Sequence, residues 1–275
     1  LRFFFTRNLT SLVMMNYKYT YLVTLQYLGF RFHGWQKQPN LKTGHLFLDK
    51  TLKFIYKGIR LKSLGVGRTD ARVSATHFAF QLFIDEKVDF EQFMVDFNAN
   101  APGDMRALKI EDIDKNFNII QHPKLKEYHY YFSYGEKNHP YAAPFLTRFR
   151  EQLDVDLMKE GALLFEGFHN YKRFCTKPTE ETKVEREIVY CRIEKNTELT
   201  ASFFPKESFV LVVRGEGFLR NQIRLIMGAL HDLGKGEFDL NFIKESLNPT
   251  SDIDFIKNIA PASGLHLHKL EFKDL

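Results

Sequence analysis

Between Thr76 and Ile84 apolar residues fall on every second position, as Phe78, Phe80, Leu82 and Ile84, which predicts a half-buried strand. Tyr19 to Leu28, rich in Thr, Tyr, Val and Leu, predicts another, and Arg60 to Val66 and Met105 to Ile113 read as extended. Leu48, Leu52 and Ile55 recur at helical spacing within His45 to Lys57, and Phe90 to Asn98 has the same character. The predicted order of this half is β-α-β-β-α-β.

The second half repeats that order. Glu127 to Tyr134 is strand-like, Val155 to Phe165 helical, and Lys183 to Glu194 and Ser208 to Arg214 extended. A long helix is predicted from Gly217 to Leu233, with Ile223, Ile226, Met227, Leu230 and Leu233 on one face, and a last strand from Leu265 to Phe272. Asn241 to Leu247 reads as an insertion, and Gly135 to Gln152, which holds Pro140 and Pro144, as the linker. Two successive split β-α-β units predict an α+β protein of two ferredoxin-like (βαββαβ) halves, with antiparallel sheets, helices on one face and the other face open to a ligand. The domain boundaries expected are 1–16 for a disordered N-terminal extension, 17–125 for the first half and 126–275 for the second.

Composition narrows the class. With 275 residues, 44% hydrophobic and 27% charged, the chain can bury a core without disulfides. No apolar run approaches the roughly 20 residues of a membrane helix. Only Cys175 and Cys191 are present, in no Cys-x-x-Cys pair, so neither a disulfide scaffold nor a cysteine zinc site is indicated, and a reducing cytoplasm is the expected setting. The net charge is +5, yet Leu1 to Leu48 holds no Asp or Glu while Arg2, Arg7, Lys18, Arg31, Lys37 and Lys42 are basic, a one-sign stretch suited to a polyanion. Leu1 to Asn16 reads as an upstream extension with the natural start at Met14 or Met15, or as an organelle-targeting segment.

The candidate chemistry centres on Gly67-Arg68-Thr69-Asp70-Ala71, a carboxylate beside a guanidinium on a glycine-hinged turn between two strands. Taken alone, such a turn is as well explained by Asp and Thr capping their own backbone. Around it stand Gly34-Trp35-Gln36-Lys37-Gln38-Pro39, Asn98-Ala99-Asn100-Ala101-Pro102-Gly103-Asp104, Glu127-Tyr128-His129-Tyr130-Tyr131, Gly167-Phe168-His169-Asn170-Tyr171 and Phe218-Leu219-Arg220-Asn221-Gln222-Ile223-Arg224. In this order and spacing the motifs resemble the TruA family of tRNA pseudouridine synthases, from about Tyr21 to Gly264-Leu265-His266-Leu267.

The resemblance implies the pseudouridine synthase fold, its halves forming a central cleft, and isomerisation of uridine to pseudouridine on the 3′ side of the tRNA anticodon stem-loop by a homodimer with neither cofactor nor metal. It implies that Asp70 is the catalytic carboxylate, attacking sugar or base or abstracting a sugar proton. Arg224 is assigned as the ion partner of Asp70, Arg68 to positioning the turn or flipping the base, and Tyr128 to stacking on the uracil. Tyr130 shares the Tyr128 face by alternation, and only the family's Tyr-x-Tyr pattern selects Tyr128. Leu265 is expected to line the pocket and Trp35 to pack beneath the loop. Arg31, Lys37, Arg72, Lys172, Arg173 and Arg220 are expected phosphate contacts.

Two departures from the family pattern stand out. Arg72-Val73-Ser74-Ala75 replaces Gly-Val-His-Ala, and Thr43-Gly44-His45 replaces Thr-Val-Gln. Arg72 is costly if its position needs a positive φ and harmless otherwise. These changes keep two other readings in view, a synthase for a different RNA site and a tRNA chaperone that has lost catalysis. A glycosidase would want a second carboxylate about 5–10 Å from Asp70, whereas Asp85 and Glu86 lie at the far end of the following strand.

Overall fold

The computed structural model describes residues 17–122 and 124–273, so the expectations for Leu1 to Asn16 lie outside the described residues. Contacts divide the chain into two units, one of the residues up to Ala71 with Ala75–His122, the other of Arg72–Ser74 with the chain beyond His122.

The first unit runs β1 (Tyr19–Tyr27), α1 (Gly44–Ile55), β2 (Leu61–Gly65), β3 (Ser74–Ile84), α2 (Phe90–Asn100) and β4 (Met105–Asp112). Its strands lie in the order β4-β1-β3-β2, each pair antiparallel, with Val23 of β1 between Phe80 and Ile110. The alternation in β3 predicts one wet face, but Phe78 to Ile84 are buried without a break. The cause is Gln81. From the face opposite Phe80 and Leu82 its amide donates to the carbonyl of Phe117 at 2.9 Å and accepts from the N–H of Ile119 at 3.1 Å, which draws the chain after β4 across that face.

The second unit runs β5 (Lys124–Tyr134), β6 (Thr147–Phe149), α3 (Val155–Leu163), β7 (Gly167–Asn170), β8 (Glu185–Ile188), β9 (Tyr190–Lys195), β10 (Phe209–Gly215), α4 (Gln222–Gly234), α5 (Leu240–Leu247) and β11 (Leu265–Phe272). Its main strands lie in the order β11-β5-β10-β9, all antiparallel, while β7 and β8 pair apart. Numbered within its own unit, each sheet has the order 4-1-3-2. The duplication inferred from element order is therefore present in topology.

Three expectations change. The predicted linker carries β6, which pairs in parallel with β5, and buries Ala142 and Leu146, because its apolar residues outweigh its prolines. The stretch Lys183 to Glu194 is two strands, broken at Val189. The long helix begins at Gln222, since Asn221 before it holds a left-handed φ of 60°.

Four of the five described helices start on a side-chain cap that accepts a backbone N–H, from Thr43, Asp89, Asp154 and Asp239. Asn221, ahead of α4, makes no such bond.

Candidate active site

In the first unit the Asp70 turn is held through its neighbour Thr69. The N–H of Trp35 donates to the Thr69 carbonyl at 3.1 Å, and the hydroxyls of Tyr27 and Thr69 are 2.9 Å apart. Gly34, at φ 86°, permits the approach, since a Cβ there would lie 2.8 Å from the Thr69 oxygen. The carbonyls of Gly34 and Trp35 accept from the N–H groups of Gly44 and His45, so the first turn of α1 braces the same segment. Trp35 is 2% exposed, packed 4.0 Å from Phe78 and stacked between Tyr27 and His45. A Cβ on Gly44 would stand 2.9 Å from its ring, so in this chain the indole packs directly against the glycine. Asp70 is half-buried and Arg68 exposed on this turn, and Arg72 follows with φ 69°. The position does demand a left-handed backbone.

Nearby, Ser63 donates to Asp49 at 2.5 Å and lies 2.9 Å from Nε2 of His45. With its proton committed to the carboxylate, this Ser, His and Asp trio is no nucleophile relay. It supports α1 against β2.

In the second unit Tyr128 sits on β5 opposite Val213 and Leu267, its ring met edge-on by Phe218 at 5.4 Å. Tyr130, on the same face, is fully buried and donates to the carbonyl of Pro261 at 2.7 Å. Burial pushes its hydroxyl pKa up, and the charge of Arg224 draws it partly back. Leu265 stands opposite Tyr130, one step along from the Leu267 that faces Tyr128.

Arg224, in the first turn of α4, donates from Nε to the Ala260 carbonyl at 2.7 Å and from Nη1 to Oδ1 of Asn221 at 3.1 Å, while its own carbonyl accepts from the Ala260 N–H. Asn221 also donates to the hydroxyl of Thr176 at 3.0 Å. Its side chain, unused as a helix cap, orients Arg224 instead. Asn221 and Tyr27, which hold Arg224 and Thr69, have no distinguishing mark in the sequence. Asn221 lies inside the motif from Phe218 to Arg224, but Tyr27 is 42 positions from Thr69.

The cations proposed for phosphate differ in their settings. Arg31 forms a forked ion pair with Asp104 and lies over the ring of Phe47, and Lys37 pairs with Asp49, each with an exposed flank. Arg220 and Lys172 are exposed. Arg173 is not available to phosphate, because it is buried and donates to the carbonyls of Asn248, Ser251 and Ile253, bracing that loop. On the face of β5 opposite Tyr128, Glu127, His129 and His268 form a group that could hold a metal ion.

Comparison with known proteins points one way. A model of the family described as tRNA pseudouridine synthase matches residues 162–273. The chain is 32% identical to tRNA pseudouridine synthase A of Thermosipho melanesiensis over 256 residues, 92% of this chain and 99% of that one. It is 29% identical to the Dictyoglomus thermophilum protein of the same name over 263 residues, 94% of this chain and all of the other. These relatives cover both duplicated units, and with them the chain belongs to the TruA family of tRNA pseudouridine synthases.

Proposed function

We propose that this enzyme isomerises uridine to pseudouridine on the 3′ side of the tRNA anticodon stem-loop, with Asp70 as nucleophile. The reaction breaks one C–N glycosidic bond, turns the uracil and forms a C–C bond to the same sugar carbon. Product and substrate contain the same atoms, so no oxidant, reductant or group donor enters. The target nucleotide leaves the stack to reach Asp70, and the face of Tyr128 restores about 1–3 kcal/mol of lost stacking. Arg224 keeps the carboxylate ionised as RNA excludes water, Arg68 steadies the turn or displaces the base, and Leu265 supplies an apolar wall. Arg31, Lys37, Arg72 and Arg220 engage backbone phosphates, and the enzyme works as a homodimer in the cytoplasm.

The observation that supports this reading is the anchoring of Thr69 from two directions, by Trp35 and Tyr27, which holds the backbone that carries Asp70. The test incubates the enzyme and Asp70→Asn with unmodified tRNA transcripts and maps pseudouridine by carbodiimide-stop sequencing. Signal in the anticodon stem with the parent alone, and tRNA affinity within a few fold in the variant, is the expected result. Equal turnover in both proteins rejects Asp70, and intact binding without signal on any tRNA moves the weight to another RNA or to a chaperone role.

A further inference from the structure

The isomerisation leaves one buried group of ionisable side chains in the second unit unused. Glu127 and His129 are two apart on β5 and so share a face. His268 reaches that face from β11 through a β-bulge. Leu267 pairs with Tyr128 and Lys269 with Glu127, so His268 is the extra residue between them, turned toward His129. Nε2 of His129 lies 2.9 Å from Oε1 of Glu127, Nε2 of His268 lies 4.0 Å from that same oxygen, and Oε2 of Glu198 lies 3.8 Å from Nε2 of His268.

The far side of each buried group is already engaged. Arg214 donates to Oε2 of Glu127, from Nε at 2.7 Å and also from Nη2, which leaves Oε1 directed at the histidines. Nδ1 of His129 is 3.0 Å from the Tyr131 hydroxyl, a group able to accept an N–H once Nε2 exchanges its hydrogen bond to Glu127 for an ion.

We propose that Glu127, His129 and His268, with Glu198 as the fourth ligand, bind one divalent transition-metal ion of zinc type. Two imidazoles and two carboxylates suit zinc or cobalt, and poorly suit magnesium or calcium, which take oxygen ligands. Bonds of about 2.0–2.1 Å in a tetrahedron set donors about 3.4 Å apart. The observed 2.9 and 4.0 Å bracket that separation. The rings of His129 and His268 stack at 3.6 Å and 5°, and no ion lies in both of two parallel ring planes, so binding opens the stack. His268, 28% exposed and on a bulge, is the ring with room to move. The ion would tie β11 to β5 and to the turn at Glu198.

The full chain, treated with a chelator and dialysed, is titrated with cobalt, read by visible absorption, and with zinc, read by calorimetry and melting temperature. One ion per chain, tetrahedral cobalt bands, a higher melting temperature with zinc and at least about tenfold weaker binding in His268→Ala are expected. Glu198→Gln, on an exposed side chain, is expected to weaken binding by a smaller factor and keeps the test decisive if His268→Ala folds poorly. No stoichiometric binding at sub-millimolar zinc overturns the site. So does affinity unchanged in both variants, which assigns the ion to other histidines.

Discussion

Arg72 stands two residues past Asp70 at φ 69°, where a side chain costs about 1–2 kcal/mol over glycine. Against this, glycine adds about 0.5–1 kcal/mol of freedom to the unfolded chain. Arg72→Gly is therefore expected to raise stability by roughly 0.5–1 kcal/mol in urea denaturation and to weaken tRNA binding if the guanidinium meets phosphate. His45 gives a second test. Burial lowers its pKa from 6.5, an effect that Lys37 reinforces and Asp49 opposes. The unfolded chain thus takes up a proton first as pH falls, so this contribution to stability is complete above about pH 6.5 and is lost below it. Denaturation curves from neutral pH downward are expected to show the loss, and His45→Gln to reduce it. At this scale the sequence carried residue identity better than residue setting. Asp70 and Arg224 stand in local motifs, whereas the buried state of Arg173 depends on carbonyls 75 to 80 positions away.

Helix α4 shows what an element does for a side chain. Gly228, on its buried side, lets the segment around Asn258 lie against the helix, and a Cβ there would fall 1.9 Å from the Asn258 carbonyl oxygen. Two residues further on, Ala260 supplies the carbonyl that holds Arg224. Gly228→Ala is expected to cost about 1–3 kcal/mol and to lower kcat more than it raises KM, read from single-turnover and steady-state rates on tRNA. Helical periodicity locates α4 from its apolar face, but its start is not legible because the left-handed Asn221 leaves no cap pattern. Prolines likewise concealed β6, whose pairing with β5 appears only in three dimensions.

At the scale of the whole molecule, element order alone was enough to expect two similar halves, and the 4-1-3-2 order within each unit agrees. Strand pairing follows from that order more readily than side-chain clusters do, since Glu127 and His268 are 141 positions apart and meet only through a bulge. The +5 charge, concentrated where the first 48 residues lack any acid, predicts affinity for tRNA that falls steeply with salt. Filter binding from low to physiological ionic strength is expected to give a linear loss on logarithmic axes, with a smaller slope in Arg31→Ala and Lys37→Ala. Selection acts on the gene that encodes this balance, and there the strained turn has a genetic meaning. Every arginine codon is one base change from a glycine codon, so relief at position 72 is always a single mutation away. In a mutagenised population under selection for folding alone, glycine should sweep that codon; under selection for tRNA modification, arginine should hold it.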